Sequence, residues 1–104
     1  MIIYNITKKG DTGSPGLSNI EYVEGPQTTL NENQNVFSEI FCPGNKKVLS
    51  GGHAMSSGAV SSGGIISRSY ASTPNSWRIY CWYPLPNPND AYWCRAEAMC
   101  ANVA

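Results

Sequence analysis

The sequence is short of charge, of histidine and of long apolar runs, and each shortage removes a class of function. Only 13% of its 104 residues are Asp, Glu, Lys or Arg, and the formal charge is zero. A nucleic-acid or membrane-surface binder needs a basic patch, and none is present, so no nucleic-acid partner is expected. No apolar stretch approaches the roughly 20 residues of a spanning helix, so no membrane insertion is expected either. His53 is the single histidine. Ser50 and Ser56 lie near it, but no serine sits in a hydrolase elbow. Asp11, Glu21, Glu24, Glu32, Glu39, Asp90 and Glu97 are scattered, and no pairing among them recommends glycosidase chemistry. No two cysteines have the spacing of a zinc motif. The expectation is no catalytic residue, no metal and no cofactor.

Ser, Gly, Asn and Pro are abundant, and the aromatics concentrate in the last third. This is the composition of a small all-β domain with many turns, and its length allows one modest core. No amphipathic helical periodicity is visible. Residues 1–7 lack the basic start and apolar core of a secretory leader. A protein working outside the cell is then expected to leave by another route, such as lysis, or to have a different natural start.

Ile2, Tyr4 and Ile6 alternate as a short strand. It is either the first edge strand of the domain or an anchor that adds to a partner's sheet. Gly10, Gly13 and Gly16 then stand three apart, the period of a collagen triple helix. A Gly-rich linker has the same period by chance. As a helix, residues 10–18 would form a stalk of roughly 28 Å, too short to order three chains without an adjacent trimeric domain. Ile20–Glu24 reads as a strand that Gly25-Pro26 breaks, and residues 30–35 read as a polar turn. In residues 36–42, Val36, Ser38, Ile40 and Cys42 form the core face, with Phe37, Glu39 and Phe41 on the other. Residues 47–55 form a strand in which Gly51-Gly52 marks a bulge or a close backbone approach. Residues 56–58 and 61–64 read as loops, 65–70 as a strand and 71–76 as a turn.

Trp77–Tyr83 and Ala91–Cys100 read as two arms of a hairpin around the loop 84–90. Pairing residues whose numbers sum to 175 sets Arg78 against Glu97, Trp82 against Trp93, Tyr80 against Arg95 and Cys81 against Cys94. A one-residue shift loses all four pairs. Trp77, Ile79, Cys81, Cys94, Ala96, Ala98 and Cys100 lie on the core face. Tyr80, Trp82 and Trp93 point away from it. They are candidates to stack on sugars, to pack in a trimer interface or to cover a second sheet. In an oligomer, outer aromatics more often serve an interface.

Phe41-Cys42-Pro43-Gly44-Asn45-Lys46-Lys47-Val48-Leu49-Ser50-Gly51-Gly52 resembles the "CPxGkkVlgGG" opening of a small β-domain found at the ends of bacteriophage tail-fibre and appendage proteins, and in secreted bacterial proteins. The turn before Trp77 (Ser72 to Ser76) and the closing Ala98-Met99-Cys100-Ala101 are similar to its later landmarks. Gly16-Leu17-Ser18-Asn19-Ile20-Glu21-Tyr22 resembles the "GLSxYE" that follows Gly-X-Y stretches in phage examples. The resemblance covers residues 36–102. The Cys81/Cys94 pair and the proline-rich loop depart from the usual pattern, and the chain is short for a tail fibre.

Four cysteines suggest two disulfides. The resemblance pairs Cys42 with Cys100, and the hairpin register pairs Cys81 with Cys94. Buried free thiols are the alternative, since phage proteins fold in a reducing cytoplasm.

The expected fold is all-β: a small antiparallel β-sandwich (jelly-roll-like) knob over residues 19–104. An anchor strand (1–9) and a collagen-like stalk (10–18) precede it, and three copies associate. The expected role is a bacteriophage virion structural protein, a trimeric fibre or decoration knob projecting from the capsid or tail, with residues 1–9 on a capsid or tail protein. The rival is a receptor-binding tip that attaches to a host surface glycan or envelope protein, and a third reading, a small secreted hydrolase, lacks acid–base groups. The expected location is the virion surface, with an extracellular one as the alternative.

Overall fold

In the computed structural model, which describes residues 2–4, 16–85 and 91–103, the alternating segments form two antiparallel sheets packed face to face. The first is built on the longest strand, β8 (Trp93–Val103). Along one edge of β8 run β2 (Leu17–Glu24) and then the two-residue β3 (Thr28–Thr29); along the other runs β5 (Lys47–Met55). β1 (Ile2–Tyr4) adds outside β2, with Ile3 opposite Glu21. In the second sheet β7 (Ser76–Trp82) lies between β4 (Asn35–Phe41) and β6 (Ile65–Thr73). β6 and β7 form a tight hairpin around Pro74 and Asn75.

β1 is an edge strand of its own chain's sheet, and Ile6, read as part of the same strand, lies outside the described residues. Gly10 and Gly13 of the Gly-X-Y run, and residues 86–90 of the proline-rich loop, lie outside the described residues. Gly16 is exposed just before β2.

The hairpin expected from residues 77–100 does not form. β7 and β8 are the middle strands of different sheets, with β7 paired to β4 and β6 and β8 paired to β2, β3 and β5. Arg78 faces Glu39 and Tyr70 instead of Glu97, and Trp82 faces Asn35 and Ile65 instead of Trp93. The core-face assignment survives because period-2 alternation says which side of a strand is apolar, not which strand lies beside it. Ile79, Cys81, Cys94, Ala96, Ala98 and Cys100 are all buried. Cys81 and Cys94 do bond, but across the gap between the sheets rather than between neighbouring strands. Cys42, just beyond β4, bonds to Cys100 on β8. Both disulfides thus join the sheets, and β8 carries one end of each.

The core is made of small residues. Beside the four cysteines, Ala59, Ala96, Ala98 and Ala101 are buried, with Ile20, Leu30, Ile79 and Tyr83 the larger members. Leu30 falls in a stretch that reads as a polar turn, yet it is 2% exposed. The half-buried Trp77 packs against both core clusters. The stretch after β5 also differs from its reading as loop. It forms one helical turn, α1 (Ser57–Ser61), although glycine and serine favour helix weakly. Tertiary contact holds it: Ala59 is fully buried and the Tyr83 hydroxyl donates to the Ser62 hydroxyl at 2.8 Å.

Ser38 shows why one polar residue belongs on the core face of β4. Its hydroxyl donates to the Pro26 carbonyl at 2.7 Å and accepts from the Ala96 amide at 3.0 Å, tying β4 to β8 across the sandwich. The Ala96 carbonyl accepts in turn from the Gly25 amide. Ser38→Ala removes both side-chain bonds and leaves the buried Ala96 amide unpaired, so we expect a loss of about 1–3 kcal/mol. Urea unfolding of the variant measures it, and a change below about 0.5 kcal/mol would show that water replaces the hydroxyl.

Candidate functional site

On the outer face of the second sheet, alternate residues of three strands project together. β4 contributes Phe37 and Glu39, β7 contributes Arg78, Tyr80 and Trp82, and β6 contributes Arg68 and Tyr70. The registers lay them out in rows: Phe37–Tyr80–Arg68, then Glu39–Arg78–Tyr70. Arginine and aromatic groups alternate along the diagonals, so each cation reaches a ring in the neighbouring row.

The contacts follow from that layout. The Arg78 guanidinium lies 4.9 Å from the Phe37 ring centre, and the Arg68 guanidinium lies 4.5 Å from Tyr70 and 5.6 Å from Tyr80. The Tyr70 and Tyr80 rings are parallel, with centres 6.4 Å apart, and Phe37 lies 5.9 Å from Tyr80. Arg78 donates to Glu39 at 2.9 Å and to the Tyr80 hydroxyl at 3.4 Å. Glu39 also accepts from Ser72. The Trp82 indole donates to the Asn33 side chain at 3.2 Å. Phe37 remains 50% exposed, so the face has apolar surface to offer.

Arg78 donates to the Tyr80 phenol, and this outweighs the burial that pushes it up. The contact with Tyr70 and the Arg78 and Arg68 charges add to it, and the phenol is held below its ordinary value. Burial likewise pushes the Glu39 carboxyl up, but hydrogen bonds from Ser72 and Arg78 and the Arg78 charge outweigh it, leaving it below the usual carboxylate range. A carboxyl depressed in the folded state adds stability that is complete above its unfolded pKa. That stability is lost as pH falls through its folded value. We expect Glu39→Gln to lower stability at neutral pH and to flatten the acid side of the stability curve. Urea midpoints taken from neutral pH downward check this; an unchanged acid slope would assign that slope to other carboxyls.

The aromatics singled out from the sequence are divided by the sandwich. Tyr80 and Trp82 share the face just described. Trp93 lies on the opposite side, on the outer face of the first sheet, where the Arg95 guanidinium is 5.0 Å from its ring. Arg95 also pairs with Glu24 at 2.5 Å and Glu97 at 3.4 Å. Burial raises the nearby Tyr22 phenol above its ordinary value, and Glu97 and Glu24 raise it further. Beside it lies a shallow groove of about 170 Å³ over the bare backbone of Gly51 and Gly52. The sequence reading missed Arg68 and Tyr70. Alternation placed them on a strand, but only the β6–β7 pairing sets them beside Tyr80.

His53 is exposed on β5. Among the described residues, no group of three or more His, Cys, Asp or Glu side chains is arranged to hold a metal ion. No protein-family model, curated protein or solved structure matches the chain.

Proposed function

We propose that the chain is a bacteriophage virion structural protein, a knob that projects from a capsid or tail and acts by contact rather than by turnover. The observation that carries this reading is the arginine–aromatic face of the second sheet. Arg, Tyr and Trp are the residues most enriched where proteins meet partners. Here they stand on a three-stranded sheet that two disulfides rivet to its neighbour, so the face is presented on a rigid support.

In the finer form of the proposal the knob is jelly-roll-like and three copies associate, with a collagen-like stalk over residues 10–16; Leu17 and Ser18, expected as the end of that stalk, are instead the first residues of β2. Leu17 and Val103, Cα partners across β2 and β8, are 39% and 53% exposed where the stalk would join the knob. Three copies meeting there would cover them. Light scattering of the full chain tests this: a species of three chain masses is expected, and a stable monomer at micromolar concentration overturns the trimer. Antibody labelling of intact particles tests the location, and signal on neither capsid nor tail overturns the virion assignment.

The second reading is a receptor-binding tip, favoured by the same face being polar-aromatic and by the Arg68 guanidinium on it, which is exposed and has no carboxylate partner among the described residues. Purified protein that adsorbs to host cells and blocks infection would favour the tip over passive decoration.

A further inference from the structure

We infer that the outer face of the second sheet binds an acidic glycan, with Arg68 as the residue that takes the anionic group. This rests on the reading of the chain as a displayed knob and names the ligand class its face would take.

The three arginines of the described residues are not equivalent. Arg78 is committed to Glu39, and Arg95 to Glu24 and Glu97. Arg68 meets the rings of Tyr70 and Tyr80 and has no carboxylate partner among the described residues. It is exposed. A guanidinium seated on aromatic rings is held in orientation while its N–H edge stays available. That edge is a fork suited to two oxygens of a carboxylate, sulfate or phosphate.

The surroundings choose between anionic ligands. With Arg68, Arg78 and Glu39 on it, the face has a net charge of +1. A nucleic acid binds through several phosphate contacts at once, which one free cation cannot supply. An extended peptide is taken by a groove or by backbone pairing along a free sheet edge, whereas the Arg68 guanidinium and the rings beside it stand on the sheet's outer face. A sugar has apolar C–H faces edged by hydroxyls, and Phe37, Tyr80 and Trp82 offer ring surface beside the phenol hydroxyls of Tyr70 and Tyr80. A glycan with sparse acidic groups satisfies both the rings and the single fork.

The test is a printed array of neutral oligosaccharides and their counterparts bearing uronate, sialate, sulfate or phosphate groups, probed with the full chain. We expect retention on one or more acidic members at least tenfold above their neutral counterparts. Arg68→Gln should cut that retention about tenfold or more with an unchanged melting temperature. Arg68→Lys should restore it only in part, because an ammonium keeps the charge without the fork. Glu97→Gln, on the opposite face, should leave it unchanged. Equal retention of acidic and neutral glycans overturns the inference, as does full retention by a folded Arg68→Gln variant. Inorganic phosphate binding as tightly as the best glycan also overturns it, since the face would then be an anion site only. Oligomeric state measured on the same samples separates this from the trimer proposal. A trimer blind to acidic glycans removes the site alone; a monomer that retains them removes the trimer alone.

Discussion

Reducing both disulfides is expected to unfold this domain near room temperature. The Cys42–Cys100 bond closes a loop of sequence separation 58 and the Cys81–Cys94 bond one of 13. In the chain-entropy description these closures stabilise by about 4 and about 3 kcal/mol. Their sum is comparable to the whole stability of an ordinary small domain, about 5–15 kcal/mol. The core has little to set against the loss, because alanine and cysteine make up most of its buried apolar side chains. Both bonds also cross between the sheets, so breaking them releases the contact on which the sandwich depends. Thermal melts of Cys42→Ala/Cys100→Ala and Cys81→Ala/Cys94→Ala separate the two. At about 4–8 °C per kcal/mol for a domain this size, the first pair should lose about 15–30 °C and the second about 10–25 °C. A reversed order would mean that packing around Cys81 and Cys94, not loop length, sets the ranking. A reduced wild type that keeps its melting temperature would sink the prediction.

The second large effect is expected at Gly51. A Cβ built there would lie 2.0 Å from Cδ2 of Trp77, with other indole atoms at 2.3 Å. Trp77 cannot give way cheaply. Its ring packs against both core clusters and its indole nitrogen donates to Ser69 at 3.0 Å. Gly51→Ala must push the tryptophan off its site or move β5 away from the second sheet, and overpacking of this kind costs about 1–3 kcal/mol or more. Gly52 is the internal control. A Cβ there meets no heavy atom within 4 Å among the described residues, so Gly52→Ala should change stability by less than about 0.5 kcal/mol. Chemical denaturation of the pair, with near-ultraviolet circular dichroism to follow Trp77, reads both. Equal effects at the two positions would show that glycine is needed for backbone conformation rather than for the ring.

These two results bear on what could be read from the chain. The paired glycines read as a bulge or a close approach, and the close approach is what occurs: the Trp77 ring lies over Gly51, while the register slip in β5 falls earlier, between Val48 and Ser50. Which group approached was not legible, because Trp77 is 26 residues away in sequence and belongs to the other sheet. The cysteine pairs read correctly, but the hairpin argument for Cys81 and Cys94 had the wrong geometry. Two strands that face each other across a sandwich set matching core residues together just as two neighbours do, and a symmetric register cannot tell the cases apart. Only the backbone partners decide, and they are non-local.

The sequence by itself determined the all-β class and the inward faces of residues 36–42, 77–81 and 94–100, and the resemblance supplied the Cys42–Cys100 pairing. Each follows from period-2 alternation, turn residues or spacing, all of which are local or carried by the resemblance. The tertiary structure alone decided that β7 and β8 belong to different sheets, that Trp93 stands apart from Tyr80 and Trp82, and that Arg68 and Tyr70 complete the candidate face. Each of those depends on which strands lie side by side. That choice is made by burial summed over the whole core, and no single stretch of the chain records it.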